Sequence, residues 1–398
     1  MEIRAVTVGT QIAHPDDAVV FDRRVPGFID SARLRFRDAG LTVQTARIAA
    51  QPFPSLVPAD RDAVVGLARA FERTAREAGF GYVSLGPAGR STLQYVPHLV
   101  EAILATEHVF GTVVVGDRAD GVSLEAAAAA ADVVESLAQR SAEGFANLRF
   151  AALANCPPGI PFFPAGYHDG GPTTFAVAWQ AADLAVDAFE ASGTIADARR
   201  RLLELVEREG RRVAATAALL AEQHELTFTG IDLSLAPAPD EAGSIGAAFE
   251  RLGVDVFGAP GTLFIASLVT DVLRRADLPA TGYSGLMLPV LEDVVLGRRA
   301  AQGTYTVNDL LLYSAVCGLG LDVVPLPGDT GIDDLRGLLL DVATLATRLD
   351  KPLSARLMPL PGKQAGDPVG FDDPYFVPAA VLPVKGRGAG RLFAREGF

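Results

Sequence analysis

The stretch "VFGTVVVGDRADGVSLEAAAAAADVVESLAQ", residues 109–139, joins an apolar segment to an alanine-rich one. Residues 109–116 are short, apolar and rich in valine, which predicts a buried strand. Residues 123–139 contain no proline and begin with Ser123, a residue type that favours the N-cap of a helix. A strand followed directly by a helix is the repeating unit of an α/β fold.

The same alternation extends in both directions from this stretch. Toward the N-terminus, we predict strands at 3–9, 41–48 and 80–86 and helices at 27–39, 62–78 and 92–106. Toward the C-terminus, we predict strands at 148–155, 226–237, 321–327 and 353–361 and helices at 179–192, 195–222, 244–252, 261–277, 288–301, 307–316 and 331–349. The chain is therefore expected to form one large α/β domain over residues 1–398, in which 362–398 is a loop-rich closing segment.

Two of the predicted helices have a clear apolar face. The first carries Val64, Leu67, Phe71 and Ala75 on one side. The second carries Ile195, Leu202, Val206, Val213 and Leu220. Its other face is rich in arginine and glutamate, which indicates a helix at the surface or between subunits. We therefore expect a homo-oligomer.

Charge and hydropathy exclude several kinds of partner. The 398 residues carry a formal net charge of -13, and such an acidic chain repels phosphate backbones, so no nucleic-acid partner is expected. No apolar run approaches the length of about 18 residues that a membrane span requires. The start of the sequence, "MEIRAVTVG", lacks the pattern of a signal peptide. We expect a cytoplasmic protein without a membrane partner.

The loop "NCPPGIPFFPAGYH", residues 155–168, holds one of two cysteines and one of five histidines. Its four prolines are incompatible with a helix or a central strand. A catalytic interpretation makes Cys156 the nucleophile or acid, His168 its base and Tyr167 a proton donor, beside an apolar wall from the two phenylalanines. The alternative is a packing plug in which Cys156 is a small buried hydrophobe. The spacing leaves both interpretations open.

A second glycine-rich segment, "YSAVCGLGLDVVPLPGDT", covers residues 313–330. It contains the other cysteine, Cys317, which is a further catalytic candidate. Asp329 and Thr330 lie where a predicted strand ends and a helix begins, an edge at which ligands gather in α/β folds. These two residues either bind substrate or merely cap the helix.

Acidic residues inside apolar segments supply the remaining candidates. Asp232 lies in a predicted strand with Ser234 on the same face, so its carboxylate is paired, bound to a metal or placed at the mouth of the strand. Both residues are candidates for substrate binding, and a structural anchor is the alternative. Glu292 and Asp293 interrupt a predicted helix. If a divalent metal is bound, its candidate ligands are His168, Asp232, Glu292 and Asp329. Their spacing matches no standard metal motif, so the sequence requires no cofactor.

Several long phrases together resemble a known family: "LRFAALANCPPGIPFFPAGYH", "FTGIDLSLAPAP", "FGAPGT", "VCGLGLDVVPLPGDT" and "PLPGKQAGDPVGF". They are similar to the uncharacterised proteins catalogued as domain of unknown function seven-one-one, from the first strand to about residue 384. The resemblance implies a pyruvate formate-lyase-like fold, a ten-stranded α/β barrel of two parallel half-barrels with helices outside. Glycyl radical enzymes on this fold carry an Arg-Val-x-Gly-Tyr segment near the C-terminus. This sequence has none there, which argues against radical chemistry.

The resemblance adds weight to the candidates that fall within its phrases, among them Lys363, which would neutralise a substrate carboxylate or phosphate. We therefore expect an enzyme that acts on a small metabolite inside the barrel, by acyl-transfer, hydrolytic, lyase or cyclase chemistry. One alternative is a metal-dependent enzyme that uses Mg²⁺, Ca²⁺ or Zn²⁺ with His168 and the carboxylates. Another is an oligomeric protein that binds a small molecule without catalysis.

Overall fold

The computed structural model describes residues 1–14, 18–386 and 388–395. Strands and helices alternate along most of the chain, as predicted. The strands are β1 (Glu2–Gly9), β2 (Val43–Ala49), β3 (Tyr82–Ala88), β4 (Val109–Asp117), β5 (Gly121–Val122), β6 (Phe150–Ala154), β7 (Thr174–Gln180), β8 (Thr227–Ala236), β9 (Gly320–Pro327), β10 (Leu353–Leu360), β11 (Pro368–Val369) and β12 (Ala379–Ala380). The α-helices are α1 (Val25–Asp38), α2 (Arg61–Glu77), α3 (Val96–Leu104), α4 (Leu124–Arg140), α5 (Ala182–Glu190), α6 (Ile195–His224), α7 (Ile245–Leu252), α8 (Thr262–Arg275), α9 (Val294–Ala301), α10 (Val307–Ser314), α11 (Ile332–Leu349) and α12 (Gly390–Ala394).

One large sheet runs through the molecule in the order β8-β7-β1-β2-β3-β4-β6-β10-β9. Strands β1, β2, β3, β4 and β6 are parallel neighbours and form a first block. Strand β7 is parallel to β8, and β9 is parallel to β10. These two pairs meet the first block in antiparallel fashion, at β1–β7 and at β6–β10. The sheet is therefore mostly parallel, with helices packed against it.

The segment 280–290, which we call the bridging segment, lies between the two strands at the ends of this order. Ala280 forms a parallel bridge with Ile231 of β8, and Pro289 forms one with Asp322 of β9. The Ile231 amide donates to the Pro279 carbonyl at 2.7 Å, and the Val290 amide donates to the Asp322 carbonyl at 3.3 Å. Backbone hydrogen bonds thus connect both end strands to the same short segment.

The local signals in the sequence explain most element boundaries. The Ser123 hydroxyl accepts a hydrogen bond from the Ala126 amide at 3.2 Å, so the predicted N-cap of α4 is confirmed. Val64, Leu67, Phe71 and Ala75 are all fully buried on α2. On α6 the predicted apolar face is buried except at its first member, Ile195, which is exposed because it lies at the first residue of the helix.

Two boundary predictions are wrong. Residues 179 and 180 belong to strand β7, not to a helix, because the whole segment 174–180 pairs with both β1 and β8. The helix predicted at 288–301 begins only at Val294, because Pro289 pairs with β9 and Asp293 forms the N-cap. Both corrections move residues from the predicted outer helices into or beside the sheet.

The packing places a small inner cluster against a large outer core. The outer apolar cluster extends from Ile3 to Phe393 and joins the helices to the sheet. A smaller cluster contains Ala5, Leu153, Phe162 and Tyr283, and so links the sheet to the loop 155–168 and to the bridging segment. Among the described residues, none of the helices is both long and apolar enough to cross a membrane. The described part of 362–398 contains β11, β12 and α12, and residues 387 and 396–398 lie outside the description.

Candidate functional site

A cavity that is partly open to solvent is bounded by the first parallel block of the sheet, by strands β8, β9 and β10, by the loop 155–168 and by the bridging segment. Phe162 and Phe163 of the loop lie in its wall, as the sequence predicted. The charged lining residues are Arg4, Arg47, Glu292, Asp322, Arg356 and Asp373. The hydroxyl-bearing lining residues are Thr45, Tyr82, Tyr283, Ser354 and Tyr375.

Irregularities in the strand pairing accompany two of the three cavity arginines. The register of β1 against β7 shifts between Ile3 and Ala5, so Arg4 occupies a bulge. The register of β9 against β10 shifts once, between Ala355 and Leu357, the two neighbours of Arg356. There Val323 adopts φ 41°, which β-branched residues rarely do, and this kink sets Asp322 beside Arg356.

Two of the arginines form a continuous network of ion pairs with two carboxylates. Glu292 accepts from Arg4 at 2.9 Å and from Arg356 at 3.3 Å. Asp322 accepts from Arg356 at 2.7 Å. Burial alone would lower the pKa of Arg356, but the charges of Asp322 and Glu292 raise it above its usual value. Each charge in this network therefore has a partner inside the protein.

The third arginine, Arg47, is different. Its Nε donates to the Thr45 hydroxyl at 3.0 Å, and its guanidinium carbon lies 5.7 Å from the ring centre of Tyr82 and 5.4 Å from that of Phe163. Among the described residues, no carboxylate forms an ion pair with Arg47, and its two terminal nitrogens have no hydrogen-bond partner. Burial, and then the charge of Arg4, lower the pKa of Arg47 to about 10, while Tyr82 and the charge of Glu292 oppose this shift without contacting the guanidinium as an ion pair, so Arg47 still carries its charge at neutral pH.

The bridging segment brings Tyr283 into the cavity wall. The Tyr283 hydroxyl donates to Ser354 Oγ at 2.9 Å and lies 3.8 Å from Cys156 Sγ. Burial first, and then Cys156, raise the pKa of Tyr283 well above its ordinary value. The phenol is therefore neutral at physiological pH and acts as a hydrogen-bond donor.

Asp232 and Ser234, predicted to bind substrate, hold the backbone of the bridging segment. The Asp232 carboxylate accepts from the amides of Tyr283 at 2.8 Å, Ser284 at 2.9 Å and Ser234 at 3.0 Å, and from the Ser234 hydroxyl at 2.6 Å. A Cβ at Gly282, which has φ 65°, would lie only 2.2 Å from Asp232 Oδ2. This close fit, which only glycine permits, fixes the position of Tyr283.

Cys156 lies at the start of the loop 155–168, and its sulfur contacts the Tyr283 hydroxyl. Its sulfur is 3.3 Å from the Leu353 carbonyl oxygen and 3.6 Å from that of Ala154. Burial of the sulfur raises the pKa of the Cys156 thiol to about 12. The Tyr167 hydroxyl donates to the Cys156 carbonyl at 3.0 Å rather than to the thiol, and burial raises the pKa of Tyr167 to about 12.

His168 is buried at the far end of the loop, beside the end of β1. Its amide donates to the Ala50 carbonyl at 2.9 Å, and its Nε2 is 2.9 Å from the Gly171 carbonyl oxygen. Its Nδ1 lies 3.8 Å from Asp169 Oδ1. In the described parts of the chain, no hydrogen bond joins His168 to Cys156. The structure does not bring the predicted thiol and imidazole together.

The other candidates lie away from the cavity. Cys317 is buried in the outer core, and its carbonyl accepts from the Lys351 ammonium. Thr330 Oγ1 donates to the Pro327 carbonyl at 2.7 Å, and Asp329 is exposed. The N-cap of α11 is Gly331, so neither of them caps that helix. Lys363 donates to the Pro368 carbonyl at 3.1 Å.

The acidic neighbours Glu292 and Asp293 have separate positions. Glu292 belongs to the cavity network, whereas Asp293 accepts hydrogen bonds at the N-termini of both α7 and α9. The candidate metal ligands His168, Asp232, Glu292 and Asp329 thus lie in different places. Within residues 1–14, 18–386 and 388–395, no three His, Cys, Asp or Glu side chains come together as a metal site.

Sequence reasoning missed most of the cavity, although a signal was present. Arg4, Arg47, Asp322 and Arg356 are charged residues within predicted apolar strands. A charge in a buried strand needs a partner or a place at the strand's mouth, and this rule, which selected Asp232, applies equally to these four. Tyr283 carried no such signal, because its position depends on hydrogen bonds to the Asp232 carboxylate.

Comparison with known proteins confirms the resemblance seen in the sequence. Residues 1–372 match the model of a family described as "Uncharacterised ACR (DUF711)". A UPF0210 protein of Pyrobaculum arsenaticum is 32% identical over 345 residues, which cover 82% of this chain and 76% of the relative. The UPF0210 protein MK1214 of Methanopyrus kandleri is 31% identical in an alignment 409 residues long, gaps included, which covers 92% of this chain and 88% of the relative. The UPF0210 protein NMC1568 of Neisseria meningitidis is 25% identical over 376 residues, which cover 90% and 82%.

Proposed function

This chain belongs to the family described as Uncharacterised ACR (DUF711), and we propose that it is an enzyme that acts on a small molecule bound in the cavity. The observation that carries the proposal is Tyr283, which lines the cavity and is held both at its backbone and at its hydroxyl. Asp232 fixes its backbone, and Ser354 accepts from its hydroxyl. A polar group fixed in this way in the wall of a cavity is typical of a catalytic site.

We also propose the fold that the resemblance implies: one domain containing a ten-stranded barrel of two parallel half-barrels. The bridging segment would be the strand that closes the barrel, between β8 and β9. Its bridges through Ala280 and Pro289 to these strands support this arrangement, since both are parallel. The enclosed centre of such a barrel corresponds to the cavity.

The chemistry that suits this site is stabilisation of negative charge on the substrate by a neutral donor. Hydroxyl hydrogens rotate, so Tyr283 can donate either to Ser354 or to a bound molecule. A donor prearranged in a water-poor site stabilises charge that develops on an oxygen during acyl-transfer, hydrolytic or lyase reactions. In this mechanism Cys156 is a proton-bearing neighbour of Tyr283 and not a nucleophile, because a thiol with a pKa of about 12 is not ionised at pH 7.

The test is the replacement Tyr283→Phe, which removes the hydroxyl and keeps the ring. Purified protein is incubated with a cellular metabolite extract, and the loss of one metabolite and the gain of a product are followed by mass spectrometry. We expect the variant to lose about 10²–10³-fold in turnover, the effect of removing one donor to developing charge.

The matched control is Tyr95→Phe, since the Tyr95 hydroxyl also makes one hydrogen bond, to the Val57 carbonyl at 3.0 Å, outside the cavity lining. Turnover by Tyr283→Phe equal to that of the control would contradict the proposed role of Tyr283. A metabolite that binds and is recovered unchanged would instead favour a non-catalytic binding protein. Assembly into a homo-oligomer stays a prediction. The exposed face of α6, which would form the interface, carries ion pairs within the helix, such as Arg200–Glu204 at 2.8 Å.

A further inference from the structure

Arg47 has the geometry of an anchor for a negatively charged group. We propose that it binds the carboxylate of the substrate in a bidentate manner, so that the ligand of this cavity is a small carboxylic acid with an apolar body. This inference rests on the proposed function, since it identifies the class of molecule that the same cavity takes.

Charges around the cavity are partnered unevenly. Arg4 and Arg356 share Glu292, and Arg356 also binds Asp322, so these four groups satisfy one another. Arg47 is only 7% exposed and has no such partner among the described residues. A buried cation requires compensation, and inside this cavity that compensation can come from a bound anion.

The remaining carboxylate of the cavity lining does not supply it. Asp373 accepts from the Tyr375 amide at 2.9 Å and forms no ion pair in the described part of the chain. Glu292 is engaged by two arginines. The protein therefore leaves the positive charge of Arg47 available to a ligand.

The guanidinium of Arg47 is held in one orientation. The Thr45 hydroxyl accepts from Nε, and the rings of Tyr82 and Phe163 lie within 6 Å of the guanidinium carbon. The contacts of Nε with Thr45 and of the guanidinium with the two rings hold the side chain. Both terminal nitrogens are left without a hydrogen-bond partner among the described residues. Two parallel N–H groups match the two oxygens of a carboxylate, which is the bidentate geometry that arginine favours.

The wall beside Arg47 is aromatic. Phe110 packs against Phe163 at 5.4 Å and against Tyr82 at 5.3 Å between ring centres, so one continuous aromatic surface lies next to the guanidinium. Such a surface suits an apolar or aromatic body attached to the anionic group. An apolar body bound against this surface would displace water from it, which would strengthen the interaction of the anion with the guanidinium.

The experiment measures binding directly and needs no knowledge of the reaction. Isothermal titration calorimetry is performed with benzoate, with the neutral isostere benzamide and with inorganic phosphate. The proteins are wild type, Arg47→Met and the matched surface variant Arg61→Met, whose arginine is exposed. We expect saturable binding of benzoate to wild type and to Arg61→Met, and a loss of about tenfold or more in affinity in Arg47→Met.

Benzamide should bind wild type at least about tenfold more weakly than benzoate, because its neutral amide forms no charge-assisted hydrogen bond pair with the guanidinium. Tighter binding of phosphate than of benzoate would overturn the choice of a carboxylate. Equal benzoate affinity in Arg47→Met, or no saturable benzoate binding to wild type, would overturn the anchor itself. The titrations compare Arg47→Met with wild type, whereas the proposed catalytic role is tested by the turnover of Tyr283→Phe, so failure of this inference and failure of the proposed catalytic role can be told apart.

Discussion

Arg356 and Arg47 lie in the wall of the same cavity, and each is 7% exposed, but their surroundings differ. Arg356 contacts two carboxylates, Asp322 and Glu292, whereas Arg47 contacts a hydroxyl and two aromatic rings. The paired arginine joins β10 to β9 through Asp322 and to Glu292, which follows the bridging segment, so it serves the fold. Arg47, in contrast, is held in place by contacts that include no carboxylate, so its positive charge is available to a ligand. Burial alone therefore does not distinguish the two roles, whereas the groups that each guanidinium contacts do.

The strongest test of this comparison is Arg356→Met. The substitution leaves Asp322 buried without its partner, so we expect the free energy of unfolding to fall by about 3–5 kcal/mol in urea denaturation. The double variant Arg356→Met with Asp322→Asn should recover part of the loss, because the buried charge is then removed. A loss below about 1 kcal/mol, typical of an exposed ion pair, would show that Arg356 does not have the structural role that its two carboxylate partners indicate.

A second test separates Asp232 from Asp293, two fully buried carboxylates that both accept from backbone amides. In Asp232→Asn one amide or hydroxyl donor loses its acceptor, which should lower the free energy of unfolding by about 1–3 kcal/mol. Asp293→Asn should cost a similar amount, through the N-termini of α7 and α9. Only Asp232→Asn should also reduce turnover, because only Asp232 holds Tyr283. Equal effects of both variants on turnover would argue against the positioning role.

Arg47→Met should have a much smaller effect on stability than Arg356→Met. Replacing a buried charge that has no partner with an apolar side chain of similar length removes the cost of desolvation. We expect the free energy of unfolding to stay within about 1 kcal/mol of wild type, or to rise. Urea denaturation in the absence of carboxylates checks this, and a loss as large as that of Arg356→Met would show that Arg47 has a structural partner.

The smallest expected effect on stability comes from the Cys156 thiol, whose pKa also determines its reactivity near neutral pH. Its folded pKa of about 12 lies above the ordinary value of 9.0, so the folded protein holds the thiol proton more tightly than the unfolded chain does. Stability from this group is therefore complete below pH 9 and is lost as the pH rises from 9 toward 12.

Alkylation by iodoacetamide at about pH 7 to 9, followed by mass spectrometry in a Cys317→Ser background, should be much slower for the native protein than for the unfolded chain, since the thiolate is the reactive form. Equally fast alkylation of both at about pH 8 would show an ionised, reactive thiol and would revive Cys156 as a nucleophile.

Local patterns in the sequence were sufficient for most of the fold. The apolar period of α2 and the N-cap at Ser123 are properties of short segments, and both are confirmed. Strand β7 was missed because "TFAVAWQ" is followed directly by a true helix, and its alanines do not distinguish the two. The bridging segment has only single-residue bridges, so its place between β8 and β9 depends on long-range contacts that no local pattern contains.

The site was less predictable than the fold, because the rarest residue types in the sequence, such as cysteine, do not mark the cavity. Cys156 and His168 stand out in the sequence, but they lie at different points along a loop that packs into the molecule. The cavity arginines look ordinary in an arginine-rich chain, and their meaning depends on which of them have carboxylate partners. That information exists only in three dimensions, since Arg4 and Glu292 are 288 residues apart.

The role of Arg47 as the anchor is tested most directly by a crystal structure of the protein grown with benzoate. We predict that the carboxylate binds both terminal nitrogens of Arg47 at about 2.7–2.9 Å, with its ring against Phe163 and Tyr82. Arg4 and Arg356 should keep their ion pairs with Glu292 and Asp322. An Arg47 guanidinium bound to a carboxylate of the protein, with benzoate elsewhere or absent, would show that Arg47 has a structural partner and is not the anchor.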